Sequence, residues 1–359
     1  MLMDHKRRIV ELRGALEKLR LESLLITHMP NVRNLCGFTG SSGALLVDLD
    51  GAALFTDGRY TVQARQEVNS ARVRIARGNA SAAALQSLKG RRKRVVGIEG
   101  DHLSISAVGA LRKAAPNIQL KPTSGVLERM RMVKDAGEIV QLQAAVMLAS
   151  GLFDVLLHGI KPGTSESHVA AELEYVARRS GAEGMSFETI VAAGNRSAMP
   201  HGVASDSPIP DSGFVVLDYG VILAGYCSDM TRTVYVGSPG QKQKALYQAV
   251  LDAQLAAISA VHPGQEAGKV DQAARKVLKK AGFASYFTHS TGHGVGLEIH
   301  EPPRLGKGQK ELLKPGMVIT IEPGAYVPGL GGVRIEDMVL VTESGCQVLT
   351  PTAKELLTL

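Results

Sequence analysis

Tryptophan is absent from the 359 residues, aromatic side chains make up only 4% of them, and cysteine occurs three times. So few aromatics leave no platform on which bases could stack, which argues against single-stranded nucleic acid as a ligand. Cys36, Cys227 and Cys346 are odd in number, far apart and without C-x-x-C spacing. That pattern argues against a disulfide framework and a structural zinc knuckle, and the three read as buried small apolar residues. Long hydrophobic runs are lacking as well. The apolar stretches are short and interrupted, and the opening MLMDHKRR has neither an h-region nor a small-residue cleavage site. The reading is a soluble, cytoplasmic protein with no membrane partner.

What is present is a charge of +7 and a hydrophobic content of 45%, enough for one large core or two smaller ones, with two domains expected. The densest basic run, Lys89 to Arg94 (KGRRKR), precedes the strand-like VVGIEG and reads as a solvated loop, so no nucleic-acid partner is expected.

Ile9, Leu12, Leu16 and Leu19 recur at helical spacing, and residues 23–27, 44–48 and 52–56 follow as strand-like runs. A helix over 61–67, a strand over 94–98 and a helix near 104–114 complete an alternating α/β pattern. Residues 116–135, with Pro116, Pro122 and Gly125, read as the linker to a second domain. Beyond it a helical pattern starts near Asp135, and another runs from Ser165 to Ser180. For the latter, Pro162-Gly163-Thr164 is taken as the start signal, because His168 does not complete a capping box with Ser165. Strands at 189–193, 214–219, 229–236, 317–321 and 338–342 then mix with helices at 240–260 and 267–281. Several hairpins and no steady βαβ units imply α+β architecture.

Within this region GFVVLDYGVILAGYCSDMTRTVYV places Asp218 at the end of one apolar strand and Asp229 at the start of the next. An antiparallel hairpin would set the two carboxylates side by side. THSTGHGVGLEIHEPP supplies His289, His293 and His300, with glycines around His293 that permit close approach to a ligand. The Pro302-Pro303 pair excludes a zincin helix there. Glu322 and Glu336 each interrupt an otherwise apolar strand, in VITIEPGAY and GGVRIEDMVLV. Buried strand carboxylates are costly unless a cation compensates them. Taken singly, each acid is as well explained by a turn or a structural ion pair. Together, four carboxylates balance two divalent ions, and oxygen-rich ligation with one imidazole suits Mn(II), Co(II), Fe(II) or Zn(II).

LDYG, CSDMTRT, GHGVGLEIHE, IEPG and GGVRIED are similar to the signatures of the pita-bread metallopeptidases, in their Xaa-Pro aminopeptidase (aminopeptidase P) and prolidase branch. NVRNLCGFTGSSGALLV and LFTDGRYTVQA resemble the family's smaller N-terminal domain. The resemblance thus spans the chain and implies an α/β creatinase-like domain over 1–128, ahead of an α+β pita-bread catalytic domain over 129–359. It implies a metallo-exopeptidase with Asp218, Asp229, His293, Glu322 and Glu336 as metal ligands, Asp229 and Glu336 being shared between two ions. The cofactor implied is two divalent ions, Mn(II) first, then Co(II) or Zn(II).

The same resemblance gives His201 (in SAMPHG) and His300 a catalytic role at the carbonyl oxygen. It makes Glu322 the proton carrier during attack by a metal-bridging hydroxide. His289, Arg334 and Tyr326 fall to the substrate pocket and its support. Peptides with proline in second position are the expected partners, together with a second copy of the chain in a homodimer. Aminopeptidase P is preferred to prolidase, because no cation beyond Arg334 offers itself to clamp a dipeptide's carboxylate. Methionine aminopeptidase and a non-catalytic pita-bread binding module are the more distant alternatives. For a proline pocket, Phe187, Tyr219, Tyr226 and Tyr326 are the aromatic candidates.

Overall fold

The computed structural model describes residues 3–88 and 94–359, so all but Arg94 of the basic run 89–94 lies outside the described residues. The chain forms two compact units that divide between Arg131 and Met132.

The first unit is built on a six-stranded mixed sheet. Its strands lie in the spatial order Arg72–Ile75, Ala52–Thr56, Ala44–Asp48, Ser23–Ile26, Arg94–Glu99 and Ile118–Thr123. The helix His5–Lys18 buries Ile9, Leu12 and Leu16 against one face, as its spacing predicts. The segment expected to be a linker is structured. Ile118–Thr123 pairs in parallel with Arg94–Glu99 at the sheet edge, and Val126–Arg131 is helical. Only Leu120 of that strand is buried, and an edge position tolerates Pro122, so the strand carries the polar composition of a loop.

The second unit is α+β. A three-stranded sheet carries Ile190–Ala193, Gly213–Tyr219 and Met230–Val236, and a five-stranded sheet includes Gly292–Gly294, Glu301–Leu305, Val318–Ile321 and Asp337–Val341. Helices Ala136–Gly151 and Glu166–Arg179 bury apolar faces in the core of the first sheet. Gln241–Ser259 and Ala267–Lys280 do the same for the second. The start of Glu166–Arg179 is capped by Ser165 after all: its Oγ accepts from the His168 N–H, a bond that does not need the reciprocal acid of a capping box. The stretch Ala136–Gly159, with a break at Leu152, is apolar and long enough by composition to cross a bilayer, contrary to the reading of short runs. Leu142, Val146, Leu152 and Leu156 are instead buried within the unit.

Candidate metal centre

The hairpin expected around Asp218 and Asp229 forms. Gly213–Tyr219 pairs antiparallel with Met230–Val236 in a register that sets Asp218 opposite Thr231, so both aspartates come to the same end. Glu336 is joined to that end from the other sheet. Its N–H donates to the Thr231 carbonyl at 3.1 Å, and its Oε2 accepts from Thr231 Oγ1 at 2.7 Å. His293 occupies the middle of Gly292–Gly294, and Glu322 follows Val318–Ile321 with its N–H on the Thr291 carbonyl at 2.8 Å. The glycines around His293 allow close strand packing. A Cβ at Gly292 would meet Thr320 O at 1.9 Å, and one at Gly294 would meet Pro302 O at 2.2 Å.

Ligand atoms of Asp229, His293 and Glu336 lie within 4.8 Å of one another. His293 Nε2 is 3.6 Å from Asp229 Oδ2 and 3.5 Å from Glu322 Oε1. His293 Nδ1 donates to Gly294 O at 2.9 Å, which leaves Nε2 unprotonated beside the carboxylates, the tautomer a metal-binding imidazole requires. Burial depresses its basicity to about 4. Burial, with Glu336, Asp218 and Glu322 adding to it, holds the Asp229 carboxyl well above the usual range, and burial followed by Glu322 and Asp218 does the same to Glu336. Glu322 is pushed up to about 8, chiefly by burial.

One guanidinium stands against these acids. Arg334 pairs with Asp218 and donates to Tyr326 Oη at 2.7 Å, to Thr231 Oγ1 at 3.0 Å and to Pro200 O at 3.0 Å. Even so, Asp218 Oδ1 is buried without a hydrogen-bond partner. Four carboxylates, one orphaned oxygen among them, and a neutral imidazole are a donor set that fits hard divalent cations.

These residues floor a cavity of about 950 Å³. His201, His289, His300 and Arg334 line it with the five candidate ligands. The His300 ring stands edge-on to His293, with centroids 4.5 Å apart. Tyr326 is absent from the wall, its hydroxyl bridging Arg334 and His289, whose Nε2 lies 2.9 Å away. Among the aromatics considered for a proline pocket, Phe187 reaches the cavity, beside Ile190, Val203, Ile299 and Pro302. Tyr219 donates to Ala149 O and Tyr226 to Glu138, both deep in the fold.

Two features were missed in the sequence. Arg304, exposed on the cavity wall, sits directly across the strand pair from His293, and its side chain engages no partner among the described residues. The other is Asp271, buried on the helix Ala267–Lys280, which accepts from Thr291 and from Arg275 at 2.7 Å, while Arg275 donates to the carbonyls of Phe287 and His289. This pair ties down the segment that carries His289. An Asp and an Arg four apart on a helix were the available signal, but one equally typical of a solvated face.

The profile of the Creatinase/Prolidase N-terminal domain matches residues 8–133, and that of metallopeptidase family M24 matches residues 140–343. The chain belongs to metallopeptidase family M24. As a member it is a metallo-exopeptidase that depends on divalent metal. It is 42% identical over 328 residues to an Xaa-Pro dipeptidase of Pyrococcus furiosus, covering 90% of this chain and 92% of the relative. Among solved structures, it superposes on an Xaa-Pro dipeptidase from Bacillus anthracis with a TM-score of 0.96 at 40% identity, over 99% of this chain and 100% of the other. An X-Pro aminopeptidase from Thermotoga maritima gives a TM-score of 0.90 at 34% identity, over 98% and 100%.

Proposed function

We propose that this M24 chain hydrolyses the bond between a first residue and a following proline, with Xaa-Pro dipeptides as preferred substrates. The observation that carries this reading is Arg304 on the wall of a cavity whose floor is four carboxylates. The sequence favoured an aminopeptidase for want of a clamp beyond Arg334, and Arg304 removes that reason. A dipeptide offers an amine to the acidic floor and a carboxylate to this guanidinium, the geometry a bidentate pair rewards. The two dipeptidase relatives support the same choice. The aminopeptidase from Thermotoga maritima keeps cleavage of longer Xaa-Pro peptides as the second reading.

Asp218, Asp229, His293, Glu322 and Glu336 are the residues we assign to holding two divalent ions, with Mn(II) the preferred metal. The chemistry supplied there is polarisation of the scissile carbonyl and acidification of water toward a pKa of about 7. The protein's own groups do the rest. Glu322 would take the proton released by the attacking water and pass it to the departing proline nitrogen. His201 and His300 donate to the developing oxyanion. Arg334 holds Asp218 in place, and Tyr326 fixes the ring of His289. Phe187, Ile190 and Val203 cover the pyrrolidine. A homodimer in the cytoplasm completes the proposal, and light scattering at micromolar concentration tests the dimer.

Measuring kcat/KM for Ala-Pro, N-acetyl-Ala-Pro, Ala-Pro-Gln and Met-Ala-Gln tests the reading. Ala-Pro should be best and its acetylated form inert. The Arg304→Gln variant should raise KM for Ala-Pro about 10- to 100-fold, the worth of a charge-assisted pair. Preference for Met-Ala-Gln, or an unchanged KM in the variant, overturns it.

A further inference from the structure

A second cavity of about 500 Å³ adjoins the catalytic one, and Gln309 lines both. Lys269, Arg275, Lys307 and Lys310 line the second cavity together with the acids Glu266 and Asp271. Arg275 and Asp271 cancel each other at 2.7 Å. Lys269 reaches only the neutral Gln272, at 3.4 Å. Lys307 and Lys310 are exposed, and their ammonium groups engage no partner among the described residues. Three lysines therefore face one remaining acid, Glu266. Their loop is held in place: Gln309 N–H donates to Gly306 O at 3.2 Å, Gly308 takes the left-handed φ of 77°, and Gln309 O accepts from Gly268 N–H at 2.9 Å. The annex is thus a preformed cationic space next to an acid-floored cavity, the two sharing Gln309.

We propose that this annex is a subsite for an acidic residue that follows the proline, so that the enzyme also cleaves Xaa-Pro-Glu and Xaa-Pro-Asp tripeptides in preference to neutral ones. The inference rests on the Xaa-Pro reading above. A peptide whose amine lies toward the carboxylate floor runs its other end past Arg304 and Gln309, where a dipeptide stops and a third residue enters the annex. An acidic side chain and the terminal carboxylate there meet Lys307 and Lys310. Exposed charge pairs are worth a few-fold each, so an advantage of about three- to ten-fold for Glu over its isostere Gln is expected, shrinking as salt is raised.

The experiment measures kcat/KM of the metal-loaded chain for Ala-Pro, Ala-Pro-Gln and Ala-Pro-Glu. It also measures calorimetric binding of the leaving fragments Pro-Glu and Pro-Gln, which reads the annex without turnover. Both Glu/Gln ratios should lie near three to ten and fall toward one in K307Q/K310Q, while K242Q/K244Q, which removes equal charge from the exposed helix face at Gln241–Ser259, should keep them. Either ratio at unity in the wild-type chain overturns the subsite. So does a ratio that K307Q/K310Q leaves intact, or one that both double variants lower alike. Cleavage of Ala-Pro with neither tripeptide cut also overturns the subsite and spares the Xaa-Pro reading. Failure on all three peptides refutes the Xaa-Pro reading itself.

Discussion

Stripping metal from the chain should make its stability fall as the solution becomes more alkaline, between about pH 6.5 and 8. Glu322 retains its proton up to about 8 in the folded protein, against an ordinary value of 4.5. A carboxyl raised by folding costs nothing while both states are protonated, and its penalty grows until pH passes the folded value. Each retained proton is worth about 1.4 kcal/mol per pH unit, so Glu322 alone removes roughly 2 kcal/mol over this window. Asp229 and Glu336, also raised, act in the same direction. Below about pH 6.5 the trend flattens, because His289 and His293 are depressed to about 4 and their unfolded forms take up protons first, which offsets part of the carboxyl effect. The metal-free protein should therefore be more stable on the acid side of neutrality than on the alkaline side. Calorimetric melting of chelator-treated protein should show the transition of the catalytic unit dropping by roughly 4–8 °C from pH 6.5 to 8. Metal-loaded protein should lack this drop, since cations hold the carboxylates ionised. A melting point that is flat or rising with pH in the stripped protein refutes the clustering of unsatisfied acids.

Two further outcomes follow from named contacts. Replacing His201 or His300 with Ala should leave bound metal near the wild-type level by elemental analysis while kcat falls about 10²- to 10³-fold, as for a lost oxyanion contact; parallel loss of metal would reassign them as ligands. Arg334→Ala deletes the buried partner of Asp218 and the donors to Tyr326, Thr231 and Pro200, and should cost about 3–5 kcal/mol of stability in denaturant unfolding, with Arg334→Lys recovering only part.

The parts of the fold legible in the sequence are those whose pattern is set by burial. Gly213–Tyr219 and Met230–Val236 are buried almost throughout and are rich in apolar and β-branched residues, while Ala267–Lys280 shows its buried stripe at helical spacing. Elements that are short or have little buried surface escaped. Arg72–Ile75 is an edge strand that buries none of its four residues, and the short helices Met29–Cys36 and Ala80–Gln86 have too few turns to show a period. At the site, acids that interrupt apolar strands stand out because their burial is costly, so the residues that come together could be named one by one. Arg304 could not, because its place depends on the register that pairs it with His293 across two strands, and sequence leaves register unstated. The anchoring of His289 by Asp271 and Arg275 is likewise a meeting of a helix with a distant loop.

The most direct test of the metal-centre account is metal content measured together with turnover of Ala-Pro, in wild-type and Asp229→Ala protein. Wild-type chain should lose activity on exhaustive chelation and regain it with Mn(II) or Co(II) in proportion to the metal rebound, and Asp229→Ala should be poor in both. Full turnover by rigorously metal-free wild-type protein, or normal metal binding by Asp229→Ala, would contradict the account.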